Sequence, residues 1–324
     1  MSKKVFITRN IPDIAVKMLE AKGCEVTVYA KDQVASPREL RKILERGGYD
    51  AVLSLLTDRI NSSVFDAAPT VRIYSNYATG FDNIDLAEAK KRGIVVANAP
   101  SDKASEAVAE HTIAMMLALS TRIVEANDFV RAGKYEGWAP MNFVGTDFHG
   151  KTLGLVGTGR IGERVAFFAS ALGIKIAYTD VVRNERLERQ CGASYHASIE
   201  ELLPVSDFVS LHVPLLDSTR HLIDEARLAL MKPTAFLINT ARGPVVDEKA
   251  LENALRKGVI RAAAIDVFEF EPKVSRGLRK LRNVILTPHI ASASIEARSQ
   301  MAEIAAQNII DFLEGREPAY VVNK

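Results

Sequence analysis

The sequence predicts an α/β protein built as two doubly wound parallel-sheet domains. Three observations predict it: short apolar, β-rich runs alternate with amphipathic stretches, the alternation pauses at one long helical segment before restarting, and another helical segment follows the last strand. The composition permits this, since 324 residues at 48% hydrophobic can fill two cores. Lys and Arg total 42 against 40 Asp and Glu, so no broad field recruits nucleic acid or an anionic membrane. A small, specific ligand is the expectation.

The first series of strands is Val5 to Thr8, Glu25 to Tyr29, Ala51 to Leu55, Ile73 to Asn76 and Ile94 to Val96. After Pro100, Ser101 can cap a helix whose apolar residues Ala104, Ala107, Val108, Ile113, Met116 and Leu117 recur at helical spacing. The second series has six strands: Thr152 to Val156, Lys175 to Tyr178, Phe208 to Leu211, Ala235 to Asn239, Ala262 to Asp266 and Val284 to Leu286. A closing helix, Ile295 to Glu314, stops at Gly315, and its natural place is on the first sheet. The N-terminal domain is then discontinuous, 1–100 plus 291–324, with a continuous domain, 101–290, inserted into it.

No apolar run approaches the roughly 18 residues of a membrane span. Cys24 and Cys191 stand far apart in no metal-ligand or redox spacing, and the N-terminal run passes into a strand without signal-peptide character. Buried thiols in a reducing compartment, and a cytoplasmic location, are expected.

The strand Thr152 to Val156 leads directly into Gly157-Thr158-Gly159-Arg160-Ile161-Gly162 and then a helix. That order is the one a Rossmann dinucleotide-binding turn requires. Gly157 permits the tight turn, Gly159 lets backbone approach a pyrophosphate, Gly162 allows close helix–strand packing, and the helix N-terminus offers N–H groups to the phosphates. The next strand ends at Asp180, eighteen residues after Gly162 and close to the ~20 expected of the acid that binds ribose hydroxyls. A carboxylate there repels a 2′-phosphate, so NAD is favoured. Arg183 keeps NADP possible, since a nearby arginine can hold that phosphate, although a solvated loop cation is the simpler reading.

Three further segments sit past strand ends, where open α/β sheets bind ligands: Ile238-Asn-Thr240-Ala241-Arg242-Gly243, Ile265-Asp266-Val-Phe-Glu-Phe-Glu271-Pro272, and Leu286-Thr-Pro288-His289-Ile290. With these residues the sequence resembles the D-isomer-specific 2-hydroxyacid dehydrogenase family, which includes glyoxylate/hydroxypyruvate reductases and the D-lactate and D-3-phosphoglycerate dehydrogenases. The resemblance covers nearly the whole chain. Asn76-Tyr-Ala78-Thr79-Gly80-Phe-Asp-Asn-Ile-Asp85 and Val108-Ala-Glu-His-Thr112 are similar to the family's substrate loop and interdomain helix.

The resemblance implies a Rossmann NAD-binding domain inserted into a flavodoxin-like substrate domain. It implies that Arg242 holds the substrate carboxylate and keto oxygen, that His289 is the acid/base and that Glu271 pairs with His289. The chemistry agrees: hydride arriving at a keto carbon puts negative charge on oxygen, which a cationic fork stabilises and an imidazolium protonates. A carboxylate beside His289 favours the charged ring near neutral pH. Thr112, Thr240, Ala241 and Asp266 are implied at the cofactor, with backbone N–H groups around Ala78, Thr79 and Gly80 at the substrate carboxylate. Asp266 reads equally as a strand-end acid capping local backbone. His212 is assigned to structure, and His111, His149, His196 and His221 have no motif to promote them. No metal is implied, since there is no HExxH or Cys-rich ligand set.

Trp138-Ala-Pro140-Met resembles a stretch that glyoxylate and hydroxypyruvate reductases extend into a partner's active site, which would make a homodimer functional; Trp138 reads equally as a loop or subunit anchor. Thr79 stands where many relatives carry an apolar residue, which suits a small polar 2-keto acid such as glyoxylate or hydroxypyruvate. The lysine that phosphite-oxidising relatives place there is absent, as is the glutamine of formate dehydrogenases at Glu271. D-3-phosphoglycerate or D-lactate dehydrogenase activity is the alternative, and an NAD-sensing binding protein of the same fold is the alternative of another class.

Overall fold

Runs of apolar residues buried on both faces, such as Val5-Phe6-Ile7 and Phe208-Val209 through Leu211, form the strands of two parallel sheets. The computed structural model describes residues 2–31 and 33–324, in two units: Met1–Ala104 with Ala293–Lys324, and Ser105–Ser292.

In the first unit the chain runs β1 (Lys4–Ile7), α1 (Ile14–Ala21), β2 (Glu25–Val28), α2 (Pro37–Gly47), β3 (Ala51–Leu55), α3 (Ser62–Ala67), β4 (Ile73–Tyr77), α4 (Leu86–Lys91) and β5 (Val95–Asn98). The strands pair in parallel in the order β2-β1-β3-β4-β5, the flavodoxin-like order. Capping is local and legible: Ser36, Asn61 and Asp85 each accept a backbone N–H at the start of α2, α3 and α4.

Helix α5 (Asp102–Thr121) opens with Ser101 Oγ accepting the Ala104 N–H at 3.0 Å. Arg122, in a left-handed conformation at φ 58°, separates it from α6 (Ile123–Arg131). The second unit continues with β6 (Thr152–Val156), α7 (Arg160–Ala171), β7 (Lys175–Thr179), α8 (Glu185–Cys191), β8 (Ser194–Tyr195), α9 (Ile199–Leu202) and β9 (Phe208–Leu211). It ends with α10 (Glu225–Leu230), β10 (Phe236–Asn239), α11 (Glu248–Lys257), β11 (Ala262–Ile265) and β12 (Val284–Leu286).

Its seven strands are ordered β12-β11-β10-β9-β6-β7-β8, all parallel, with the crossover point between β6 and β9. That is the Rossmann arrangement extended by a seventh strand. The extension is β12; the sequence predicts six strands and misses β8, the third of the Rossmann order, which is two residues long with exposed side chains, so no buried apolar run announces it. Only its pairing with Ala177 and Tyr178 defines it.

The chain returns to the first unit as α12 (Ile295–Leu313), which packs on α1 and β4. Ser75 in the fully buried β4 donates to the Ala305 carbonyl at 2.9 Å, and Asn308 donates to the Asn98 carbonyl at 2.9 Å. Buried polar groups must be paired, so these bonds fix the helix register as well as its position. Among the described residues no single helix is long and apolar enough to cross a membrane.

Candidate active site

Five of the seven strands of the second unit end in residues that carry polar chemistry: Gly157 after β6, Asp180 after β7, Arg242 after β10, Asp266 after β11 and His289 after β12. Parallel strands put all these ends on one edge of the sheet, where the backbone must turn and side chains can face a ligand.

The glycine turn is built differently at each glycine. Gly157 adopts φ 92°, and a Cβ there would lie 2.7 Å from the His212 carbonyl oxygen. A Cβ on Gly162 would lie 2.2 Å from the Gly157 carbonyl oxygen, so helix α7 and the turn need the bare backbone. Around Gly159 nothing lies within 4 Å of where a Cβ would be. Internal packing therefore requires Gly157 and Gly162, whereas Gly159 leaves open space at the N-terminus of α7, which no side chain caps. Open space beside unsatisfied N–H groups fits a pyrophosphate.

Gly162→Ala tests this packing. Helix propensity alone favours alanine by about 1 kcal/mol, but overpacking against a backbone carbonyl costs about 1–3 kcal/mol. The expected outcome is net loss of stability in urea unfolding together with weaker dinucleotide binding; a stabilised variant would contradict the packing argument.

Asp180 is tied to the same turn. Its Oδ2 accepts the Thr158 N–H at 2.6 Å and the Thr158 hydroxyl at 2.9 Å, and its Oδ1 accepts the Val181 N–H at 2.7 Å. Thr158 is buried, Ile161 half-buried and Arg160 exposed. The carboxylate is thereby fixed at the strand end beside the turn, as a ribose-binding acid must be. His212 packs behind the glycines with Nε2 2.9 Å from Ser210 Oγ, and burial pushes it down to about 3, so it is a neutral structural ring.

The loops after β10, β11 and β12 bring Arg242, Glu271 and His289 into one electrostatic group. A Cβ on Gly243 would lie 1.9 Å from the Phe268 carbonyl, so the first two loops meet backbone to backbone. Glu271 Oε1 accepts the Phe268 N–H at 2.9 Å, and Oε2 lies 3.1 Å from His289 Nδ1. Burial pushes the Glu271 carboxyl up, but the hydrogen bond and charge of His289, the Phe268 N–H and the Arg242 charge outweigh it and hold the group below its ordinary value. Glu271 is therefore an ionised partner that orients the imidazole through Nδ1. No described residue is hydrogen-bonded to His289 Nε2.

His289 sits at φ 55°, a left-handed conformation that costs a non-glycine residue about 1–2 kcal/mol. Fully buried Asp266 sustains it. Its backbone carbonyl accepts the His289 N–H at 2.8 Å, and its carboxylate accepts from the Thr287 hydroxyl at 2.6 Å and from the Ile290 and Ala291 N–H groups, both at 2.9 Å. Asp266 thus caps the backbone that presents the histidine. His111, without a motif in the sequence, lies 3.4 Å from Thr287 Oγ1 and 3.8 Å from Asp266 Oδ1.

Asn239 has no role in the sequence reading, yet it shapes the arginine loop: its side chain donates to the Arg242 carbonyl at 2.9 Å and accepts the Ala241 N–H at 3.0 Å. A strand-end asparagine followed by Arg-Gly was the available signal. Buried Thr112 and Thr240 meet through their hydroxyls at 3.0 Å, alongside the same loop.

In the first unit, the loop after β4 is held by Asn76, which donates to the Gly80 carbonyl at 3.0 Å, and by Asn98, which donates to the Thr79 carbonyl at 2.6 Å. The Ala78 N–H is used internally, by the Asn76 carbonyl at 2.7 Å. Among the described residues the N–H groups of Thr79 and Gly80 have no partner, which leaves two donors for an anion. Trp138, on the segment after α6, is 84% exposed. No group of His, Cys, Asp and Glu able to hold a metal ion occurs among the described residues.

The NAD binding domain of the D-isomer specific 2-hydroxyacid dehydrogenases matches residues 113–291, the stretch that carries every residue of this strand-end constellation. A glyoxylate reductase of Thermococcus litoralis is 48% identical over 330 aligned residues, covering 100% of this chain and 98% of its own. The D-lactate dehydrogenase of Aquifex aeolicus, solved with NAD and lactic acid, superposes with a TM-score of 0.86 at 31% identity, covering 99% of each chain. An NADPH-dependent glyoxylate/hydroxypyruvate reductase from Sinorhizobium meliloti, solved with NADP and malonate, gives 0.87 at 29% identity over 99% of this chain and 97% of its own. A dinucleotide turn, a paired histidine and carboxylate, an arginine on the next loop and full-length relatives agree: the chain is an oxidoreductase and belongs to the D-isomer-specific 2-hydroxyacid dehydrogenase family.

Proposed function

We propose that the protein reduces small 2-keto acids, glyoxylate and hydroxypyruvate first, to 2-hydroxy acids of D configuration where chiral, and catalyses the reverse oxidation. The observation that carries this reading is the Glu271–His289 pair, 3.1 Å apart, within the field of Arg242 on the strand edge that bears the glycine turn. When bound, reduced NAD supplies the hydride; Gly157 to Gly162 and Asp180 are the residues that would hold it. Arg242 binds the substrate carboxylate and keto oxygen through its fork of donors. His289, oriented by Glu271, gives its Nε2 proton to the oxygen as charge develops there, and in oxidation takes the hydroxyl proton back. In the first unit, the Thr79 and Gly80 N–H groups, unpartnered among the described residues, suit a carboxylate, and the Thr79 hydroxyl suits a polar tail. The glyoxylate reductase names of relatives near 47% identity support this substrate class.

A homodimer is part of the reading. Helix α6 buries none of its residues, and Ile123, Val124, Val130, Tyr135, Trp138 and Met141 are exposed along it and the following segment. Apolar residues so clustered commonly mark an association surface. Cys24 and Cys191 are only partly buried, where the sequence predicts buried thiols, and a cytoplasmic setting is proposed from their lack of any metal-ligand or redox spacing.

The test is NADH consumption with glyoxylate, hydroxypyruvate, pyruvate and phosphohydroxypyruvate, each repeated with NADPH, with oligomeric state followed by sedimentation. Fastest turnover of the first two with NADH is expected. Preference for pyruvate or phosphohydroxypyruvate would move the assignment to D-lactate or D-3-phosphoglycerate chemistry, tight NADH binding without turnover would favour a sensor, and a monomer would refute the dimer.

A further inference from the structure

Arg183 is the cation beside the ribose-binding acid, three residues past Asp180, and thus the residue able to admit a 2′-phosphate. It is already engaged. Its Nε donates to Glu188 Oε1 at 2.7 Å and its Nη2 to Glu188 Oε2 at 2.9 Å, a bidentate fork, while its guanidinium lies over the Tyr195 ring at 5.7 Å. Glu188 is held in turn by the Tyr178 hydroxyl, which donates to Oε1 at 2.7 Å.

The same hydroxyl oxygen accepts the Asn184 N–H at 2.8 Å, and Asn184 Nδ2 donates to the Thr158 carbonyl at 3.2 Å. Thr158 is the residue that Asp180 grips. A continuous chain of bonds therefore links the glycine turn to the carboxylate that occupies the arginine. The cations of α8 are also paired, Arg186 with Glu163 at 3.5 Å and Arg189 with Glu185 at 3.1 Å.

We propose that Glu188 is a cofactor-specificity residue: it sequesters the Arg183 fork, so that Asp180 alone meets the adenosine ribose and the 2′-phosphorylated cofactor is disfavoured. The inference rests on the dinucleotide-binding reading of the site. Physical support comes from the geometry of guanidinium recognition, since a planar fork satisfied by one carboxylate cannot present the same two N–H groups to a phosphate. The pairing also holds Glu188 down to about 2, chiefly through the Arg183 hydrogen bond, so the carboxylate stays charged at any working pH. Tyr178, pushed up to about 12 by burial first and by Glu188 second, stays a donor over the same range.

Direct binding of NADH and NADPH to the full-length protein, followed by calorimetry, tests this without relying on turnover. In Glu188→Gln the neutral amide still offers Tyr178 an acceptor but no longer holds the arginine by charge. NADPH is expected to bind about fivefold tighter than to the wild type, the size expected when an exposed bidentate pair is released, with NADH unchanged. Adding Arg183→Ala should remove the gain, and Arg183→Ala alone should leave the NADPH to NADH ratio as in the wild type. An unchanged ratio in folded Glu188→Gln, or a gain that persists in the double variant, would overturn the proposal. So would weaker NADPH binding in Arg183→Ala alone, because the arginine would then already be serving the phosphate; this arm holds even if Glu188→Gln does not fold. A wild type that binds neither dinucleotide would instead refute the reading of the site itself.

Discussion

Replacing His289 by alanine is expected to lower kcat for keto-acid reduction by about 10²–10⁴, the usual contribution of a positioned general acid, with NADH binding as in the wild type. The separation follows from geometry: His289 touches Glu271 and the Asp266 backbone, not the glycine turn that would hold the dinucleotide. Steady-state kinetics with a parallel NADH titration checks it, and full turnover in the variant would remove His289 from the mechanism. Glu271→Gln gives the matching pH result. The Glu271 carboxyl is held below its ordinary value, so its folded form favours ionisation. Its contribution is present above about pH 4.3, the unperturbed glutamate range, and is lost as pH falls through the lower folded value. A limb near neutral pH in the wild type therefore does not belong to Glu271. In Glu271→Gln, His289 loses the carboxylate that orients it through Nδ1, so kcat is expected to fall and any acid loss belonging to the Glu271 carboxyl to disappear.

Arg242→Ala should be as damaging by a different route. On the proposed function the guanidinium would serve both the substrate carboxylate and the developing oxyanion, so kcat/KM is expected to fall by about 10³ or more, through a raised KM as well as a lowered kcat. Arg242→Lys restores the charge without the planar fork and should recover only part of the loss. An Arg242→Ala enzyme with unchanged KM would remove Arg242 from carboxylate binding. Asn239 offers an internal control, because it positions the Arg242 loop through two hydrogen bonds without presenting a charge.

The glycine turn was readable because its requirements are local. A tight turn, an approach to phosphate and a helix packed on a strand each demand glycine at a fixed offset, and the residues concerned are contiguous. The Arg242, Glu271 and His289 set was readable only through resemblance. Glu271 and His289 are eighteen residues apart, and their contact depends on the register of β11 with β12, which places Ala263 opposite Val284 and Ile265 opposite Leu286. Nothing in the spacing of an acid and a histidine across a loop encodes that register.

The sequence by itself determined the fold class, eleven of the twelve strands, the Ser101 cap, and the position of Asp180, Arg242, Asp266 and His289 just past strands, since periodicity, turn chemistry and capping act over a few residues. Only the tertiary structure decided what those side chains are bonded to. Asp266 read equally as a cofactor residue and a backbone cap, and burial with three donors to its carboxylate makes it the support of a strained His289. Strand β8 and the pairing of Arg183 with Glu188 belong to the same class, because Tyr195, Tyr178 and Glu188 come together only once β7, β8 and α8 have packed. An arginine's charge is written in the sequence, but whether its donors are already occupied depends on contacts made after the chain has folded.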